Sequence, residues 1–313
     1  MQHYLSLKDI DSLPQWVEEA KSLKADPRQH KDLGQGKTIC LLFFNNSLRT
    51  RLSTQKAAMN LGMEVIVMNF GSEGWALEYE DGTVMDQGTS EHIKEAAQVV
   101  AQYADIVAIR AFASLTDKKK DEAEVVMNGF KKYAGIPVVN MESSVGHPLQ
   151  ALADAITLSE QNTKKRPKVV LSWAPHPKAL PHAVANSFVE MMKLQDADFV
   201  ITNPKGYDLN PRLTNGVEVE YDQEKALEGA DFVYVKNWSS YDDYGKVLSL
   251  DGNWTMTKKK LANAKFMHCL PVRRNVVVAD EVLDSEDSLV IEQANNRTYS
   301  AQIVLKKLLE SLK

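Results

Sequence analysis

Short apolar runs alternate with amphipathic stretches along most of this chain. The first run, Ile39–Phe44, is partly β-branched or aromatic and reads as a buried strand. Leu52, Ala57, Ala58 and Leu61 then give a helical stripe, and Met63–Asn69 is a second apolar run. Strand, helix and strand over 37–69 make a βαβ unit, which implies a parallel sheet with a right-handed crossover. Phe70–Ser90 has Gly71, Gly74, Gly82, Gly88 and no periodicity, so it reads as a long loop. Loops of that length are usually functional or disordered, and this one carries Trp75. The alternation resumes with a helix over His92–Tyr103, a strand over Asp105–Arg110, a helix over Lys118–Tyr133 and a strand over Pro137–Asn140.

The second half repeats the theme. A helix with Leu152, Ala153, Ile156 and Leu158 is followed by a polar, basic connector, Gln161–Lys168. Strands are predicted at Val169–Trp173, Phe199–Thr202, Val217–Tyr221, Phe232–Val235 and Phe266–His268, with helices near 182–193, 222–229 and 255–263. Residues 5–33 read as one or two amphipathic helices covering an edge, and Glu292–Lys313 as a long C-terminal helix. The order predicts an α/β fold of two doubly wound parallel-sheet domains joined by helices. The division falls at 1–143 and 144–293, with 294–313 returning to complete the first domain.

Composition narrows the field of partners. The chain has 313 residues, 44% hydrophobic and 25% charged, as in ordinary globular proteins. A net charge of −5 and a pI near 5.9 argue against nucleic acid or an anionic membrane surface. An anionic substrate must therefore be held by local cations. No apolar run approaches 18 residues and Met1–Asp26 has no signal-peptide pattern. The two cysteines, Cys40 and Cys269, make neither a disulfide framework nor a metal spacing, which points to a reduced, cytoplasmic enzyme.

The densest candidate chemistry is Ser47-Leu48-Arg49-Thr50-Arg51, where the first strand passes into its helix. A helix N-terminus has unpaired N–H groups and the positive end of a dipole. Two hydroxyls and two guanidinium groups there suit a phosphate. Neither G-x-x-x-x-G-K nor G-x-G-x-x-G is present, so the anion is not held as part of ATP or NAD. Arg110 closes its strand at the C-terminal end, where ligands sit in open α/β sheets. His147-Pro148-Leu149-Gln150 begins a helix, and a neutral imidazole there can polarise a carbonyl. His268-Cys269-Leu270-Pro271 follows a strand and contains a candidate cis bond. Cys269 lacks a convincing activating base and reads as a packing and polar-contact residue. Arg273-Arg274 and Asn295-Asn296-Arg297 are, taken alone, more often solvated arginines.

S-x-R-T-R, H-P-x-Q-x-x-A-D and H-C-L-P, in this order and each after a strand, resemble the aspartate/ornithine transcarbamylase family over nearly the whole chain. The resemblance implies transfer of a carbamoyl group from carbamoyl phosphate to an amine, without metal or cofactor, at sites shared within a homotrimer. It makes 1–143 with 294–313 the carbamoyl-phosphate-binding domain and 144–293 the acceptor-binding domain. Arg110, His147, Thr50 and Cys269 become catalytic. Ser47, Leu48, Arg49, Thr50, Trp75, Arg110, His147, Pro148, Leu149, Gln150, Cys269, Leu270 and Arg297 would bind carbamoyl phosphate, Trp75 from the neighbouring subunit.

The acceptor side departs from the common members. Ornithine transcarbamylases read the free α-amine with an acid in a D-x-W-x-S-M-G-like segment; here Lys236 stands in that place, in Val235-Lys236-Asn237-Trp238-Ser239-Ser240-Tyr241. A cation disfavours free ornithine and suits an N-acyl-L-ornithine. An aspartate-type enzyme would want a lysine within 75–90, and none is there. The N-acylornithine branch implies that Glu142, His176, Lys236 and Arg273 contact the acylornithine, and that a loop near 236–254 is threaded by 173–185 in a trefoil knot. The succinyl type resembles M-D-x-x-x-P-E-H and the acetyl type M-D-x-x-x-E-E-H; this chain has Ser90 at the variable place. A glutamate would repel a succinyl carboxylate, whereas Ser90 leaves space and a hydrogen-bond donor. The expected acceptor is N-succinyl-L-ornithine, with N-acetyl-L-ornithine the alternative. A non-catalytic phosphate-binding α/β protein would leave His147, Gln150, Cys269 and Arg297 unexplained.

Overall fold

The computed structural model describes residues 1–312. Eleven strands follow one another as β1 (Thr38–Phe43), β2 (Glu64–Asn69), β3 (Leu77–Glu78), β4 (Glu91–His92), β5 (Ile106–Arg110), β6 (Val138–Glu142), β7 (Lys168–Trp173), β8 (Asp198–Thr202), β9 (Glu218–Glu220), β10 (Phe232–Lys236) and β11 (Lys265–Met267). They form two larger parallel sheets, ordered β2-β1-β5-β6 and β11-β10-β7-β8-β9, and a two-stranded ribbon of β3 and β4. Parallel strands need helical crossovers on their faces, which is why the central strands are mainly apolar and are buried except at Thr38 and Lys168, their first residues.

Each larger sheet reverses its winding once, between β1 and β5 in the first and between β7 and β10 in the second. The crevices at those reversals, beyond the carboxyl ends of the strands, are the natural ligand positions of such sheets. In the first sheet, register sets Asn69 and Arg110 beside Phe43 at that edge. A one-residue irregularity then pairs Arg110 with Glu142 rather than Met141. Without the extra residue the acid would lose its place beside the arginine.

The long C-terminal helix, Val290–Ser311, packs on Arg49–Asn60, Pro148–Gln161 and Leu13–Ala25. Ile303, Val304, Leu305 and Leu308 are buried in a cluster that also holds Leu41 and Leu171 of the two sheets. Burial of each such side chain is worth about 1.5–3 kcal/mol.

Several boundaries differ from the sequence reading. Residues 5–33 hold a 3-10 turn, Leu7–Asp9, closed by a capping box at Ser6, and one helix, Leu13–Ala25. The stretch Phe70–Ser90 is not wholly loop, because it contains a helical turn, Phe70–Glu73, and β3. The helix expected over Lys118–Tyr133 breaks into Lys118–Glu122 and Val125–Tyr133, with Glu124 left-handed at φ 46° between them. The helix near 255–263 contracts to Lys258–Leu261, bounded by the Thr257 cap and by Ala262 at φ 51°. Leu270-Pro271 is cis, as expected. Among the described residues no helix is long and apolar enough to cross a membrane.

Candidate active site

The carboxyl edges of the two sheets face one cavity of about 720 Å³, a size ordinary for small-molecule sites. One wall comes from the first sheet. Ser47 Oγ accepts from the Thr50 N–H at 3.2 Å and so satisfies one free N–H in the first turn of the helix that begins at Arg49, whose N-cap position is Leu48. Leu48, Arg49, Thr50 and Arg51 line the cavity with it. Arg110 is only 7% exposed, and its guanidinium donates to the carbonyls of Asn45 at 2.9 Å and Asn46 at 2.6 Å. It pairs with Glu142 at 3.2 Å and lies over the Phe112 ring at 4.0 Å. These contacts hold a cation rigidly at the strand end, and burial lowers its proton affinity together with that of Arg49.

The floor comes from two helices. His147 precedes Pro148–Gln161, and its backbone N–H donates to Ser187 Oγ at 2.9 Å. Its Nε2 lies 3.3 Å from Arg297 Nη2 and 3.4 Å from Glu142 Oε2, while Nδ1 is buried without a partner. Burial, reinforced by Arg297, Arg110 and Lys236, pushes the His147 pKa well below the ordinary histidine value, so the ring is neutral. Arg297, from the C-terminal helix, also donates to Thr50 Oγ1 at 2.5 Å. Burial brings its pKa down to about 10. Gln150 donates through Nε2 to Asp154 at 2.8 Å, leaving its buried Oε1 unpaired.

The opposite wall belongs to the second sheet. Lys236 ends β10, and His176 follows β7. Both line the cavity with Cys269, Leu270, Leu180 and Val184. Arg273 does not line it, but its Nε donates to His176 Nε2 at 3.1 Å. Burial raises the Cys269 thiol, which leaves it protonated and fits the reading of a contact group rather than a nucleophile.

Besides Arg273, four predicted site residues lie outside the cavity lining in this single chain. Pro148 and Leu149 are buried beneath the cavity, with carbonyls that accept from Tyr4 at 3.3 Å and Ser300 at 2.5 Å. Trp75 is 55% exposed and donates to Glu91 at 2.8 Å. Ser90 is exposed on the same loop, its N–H donating to the Ala76 carbonyl. Conversely, Asn69, Phe112, Leu180 and Pro181 line the cavity without having been singled out from the sequence. Asn69 was accessible to the reasoning that found Arg110, since it too closes a predicted strand at its carboxyl end.

The chain matches the model of the aspartate/ornithine carbamoyltransferase carbamoyl-phosphate-binding domain over residues 2–160. It matches that of the Asp/Orn-binding domain over 181–308. The chain belongs to the aspartate/ornithine carbamoyltransferase family. Within that family it is 50% identical, over all of both chains, to the N-succinylornithine carbamoyltransferase of Bacteroides fragilis (strain 638R). It is 36% identical to the N-acetylornithine carbamoyltransferase of Xanthomonas axonopodis pv. citri, over 88% of this chain and 87% of that one. Acetylornithine transcarbamylase complexed with acetylcitrulline superposes with a TM-score of 0.92 at 33% identity, covering 98% of this chain and 99% of the other. A glutamate-to-serine mutant of N-acetyl-L-ornithine transcarbamylase, complexed with carbamyl phosphate and N-succinyl-L-norvaline, gives 0.92 at 33% identity, with 98% and 100% covered. Membership in the N-acylornithine branch of the family thus stands on both sequence and fold.

Proposed function

We propose that this protein transfers the carbamoyl group of carbamoyl phosphate to the δ-amine of N-succinyl-L-ornithine, giving N-succinyl-L-citrulline and phosphate, in cytoplasmic arginine biosynthesis. The observation that carries the reading is the pairing of two cationic walls across one cavity. Arg49, Arg110 and Arg297 serve an anionic donor, and Lys236, where an ornithine enzyme would use an acid, serves an acceptor without a free α-ammonium. The full-length likeness to an N-succinylornithine enzyme supports the acyl group. So does the complex of a serine-for-glutamate mutant with a succinyl compound, given that Ser90 stands where the acetyl pattern has glutamate.

In this reading Ser47, Leu48, Arg49, Thr50 and Arg110 hold the phosphate, and Gln150, Cys269 and Leu270 hold the carbamoyl amide. The neutral δ-amine adds to the carbonyl carbon. Negative charge grows on the carbonyl oxygen, where Arg110, Thr50, His147 and Arg297 stabilise it, usually the largest contribution in acyl transfer. The carbon–oxygen bond to phosphate then breaks, and the phosphate leaves with the proton shed by the amine. His147 acts as a neutral donor, because a protonated ring would sit against two guanidinium groups. Glu142, His176, Lys236 and Arg273 hold the acylornithine, Glu142 while also pairing with Arg110.

The assembly is a homotrimer in which the loop with Trp75 and Ser90 enters the neighbouring site. Their exposure, away from their own cavity, supports this. Residues 1–143 with 294–313 form the carbamoyl-phosphate-binding domain and 144–293 the acylornithine-binding domain. The second is knotted, the loop near 236–254 being threaded by 173–185. Supporting this, Trp173 Nε1 donates to the Trp238 carbonyl at 3.0 Å and Asn237 Nδ2 to the Ala174 carbonyl at 2.7 Å. Pulling both termini in optical tweezers should leave the unfolded chain shorter than its contour length; full extension would refute the knot.

A colorimetric ureido assay with carbamoyl phosphate and N-succinyl-, N-acetyl- and free L-ornithine tests the function. The N-succinyl compound should give the highest kcat/KM. A higher value for N-acetylornithine sinks the acceptor assignment, and no ureido product with any amine sinks the reaction.

A further inference from the structure

We infer that Asp154 is a positioning residue: it fixes the polarity of a buried chain of amides so that Gln150 presents only its carbonyl oxygen to the donor site, which thereby selects acyl phosphates bearing an –NH2 group. This rests on the reading of the cavity as a carbamoyl phosphate site.

The chain begins at a backbone group whose role cannot change. The His268 N–H donates to Gln293 Oε1 at 2.9 Å. With its oxygen so engaged, Gln293 turns its Nε2 to Asp154, donating to Oδ1 at 2.7 Å. Gln150, one helical turn before Asp154, donates its own Nε2 to the same oxygen at 2.8 Å. Asp154 and Gln293 are fully buried and Gln150 is 1% exposed, so water does not compete with these bonds. Of the polar atoms of the two amides, only Gln150 Oε1 remains buried and unpaired, and it is on a side chain that lines the cavity.

A buried acceptor without a donor is costly, so the site favours a ligand that supplies one. The –NH2 of a carbamoyl group does so; the methyl of acetyl phosphate, nearly the same size, cannot. Burial pushes the Asp154 carboxyl up to about 7. Protonated on Oδ2, which has no partner, it would still accept from both amides through Oδ1, so the polarity survives either charge state. Were Asp154 apolar, Gln150 would be free to turn its amide over and offer Nε2 instead.

The test compares the inhibition constant of acetyl phosphate with the KM of carbamoyl phosphate. In Asp154→Leu the ratio should fall toward unity on the order of tenfold. In Asp154→Asn, whose Oδ1 can accept from both glutamines, it should stay within about twofold of wild type. General loosening of the core would weaken both phosphates alike and leave the ratio unmoved. Gln293→Met cuts the chain at its other end and should lower the ratio even if Asp154→Leu does not fold. A wild-type ratio in every variant that folds among Asp154→Leu and Gln293→Met overturns the inference, as does equal loss in Asp154→Asn and Asp154→Leu. If the wild-type protein does not use carbamoyl phosphate, the functional reading falls with it; if it does and the ratio stays fixed, the inference falls alone.

Discussion

Arg297 gives the sharpest test, because its stability and its binding should move in opposite directions. The side chain is 5% exposed, and its nearest partners are a hydroxyl and a neutral imidazole, at 2.5 and 3.3 Å. Glu142, the acid attracting it, is already paired with Arg110. Burial brings the guanidinium well down from its ordinary value, to about 10. At about 1.4 kcal/mol for each tenfold change in proton affinity, its charge costs the unliganded fold about 3 kcal/mol. Arg297→Met keeps the length of the side chain and removes that cost. The unliganded variant should therefore be more stable; for 313 residues unfolding as one unit, 3 kcal/mol is about 5 °C in Tm. Carbamoyl phosphate, bound at a hundred times its Kd, should stabilise the wild type by about 2.7 kcal/mol and the variant by little. Differential scanning calorimetry with and without the ligand reads both effects. A variant that melts lower than wild type, or that keeps the full ligand-induced shift, would refute the reasoning.

Lys236→Asp should abolish acylornithine use: removing one partner of a desolvated charge pair costs about 2–5 kcal/mol, or a rise in KM of at least thirtyfold; an unchanged KM contradicts the role. Ser90→Glu should shift relative kcat/KM from N-succinyl- toward N-acetylornithine by about tenfold or more, since it sets like charges together; rates on the two acceptors decide this. His147 should remain neutral well below pH 6.5, because protonation opposes both burial and neighbouring guanidinium groups. An NMR titration that finds its midpoint near 6.5 would contradict that. Mixing inactive Trp75→Ala and His147→Ala subunits should restore part of the activity, each hybrid trimer regaining one intact site; mixtures as inactive as the parents exclude a shared site.

What could be read from the chain depended on the kind of signal. Strands buried on both sides carry unbroken apolar runs, so the two parallel sheets and the edges where Ser47, Arg110 and Lys236 stand were legible. Phe112 and Pro181 line the cavity because of where connecting backbone runs, and no residue type marks that in advance. The displacement that pairs Arg110 with Glu142 leaves no trace in hydrophobic spacing, since Met141 and Glu142 are both buried. Gln293 is not marked by the sequence because a glutamine on a helix is ordinarily solvated, and it is the packing of Val290–Ser311 against Pro148–Gln161 and the end of β11 that buries it. Pro148 and Leu149 belong to a legible motif, yet their carbonyls are occupied by Tyr4 and Ser300.

The two sheets divide the site unevenly. Arg49, Arg110 and Arg297 hang from the first sheet, its helix and the C-terminal helix, whereas Lys236 ends a strand of the second sheet and His176 and Arg273 follow others. Change in the latter group leaves the scaffold of the former untouched. With the roles proposed above, a lineage can drift from one amine to another by rewriting a few connectors and the loop with Ser90, while the groups that would hold the donor stay in place. Directed evolution toward new ureido products should draw its libraries from those connectors together with the loop that carries Ser90.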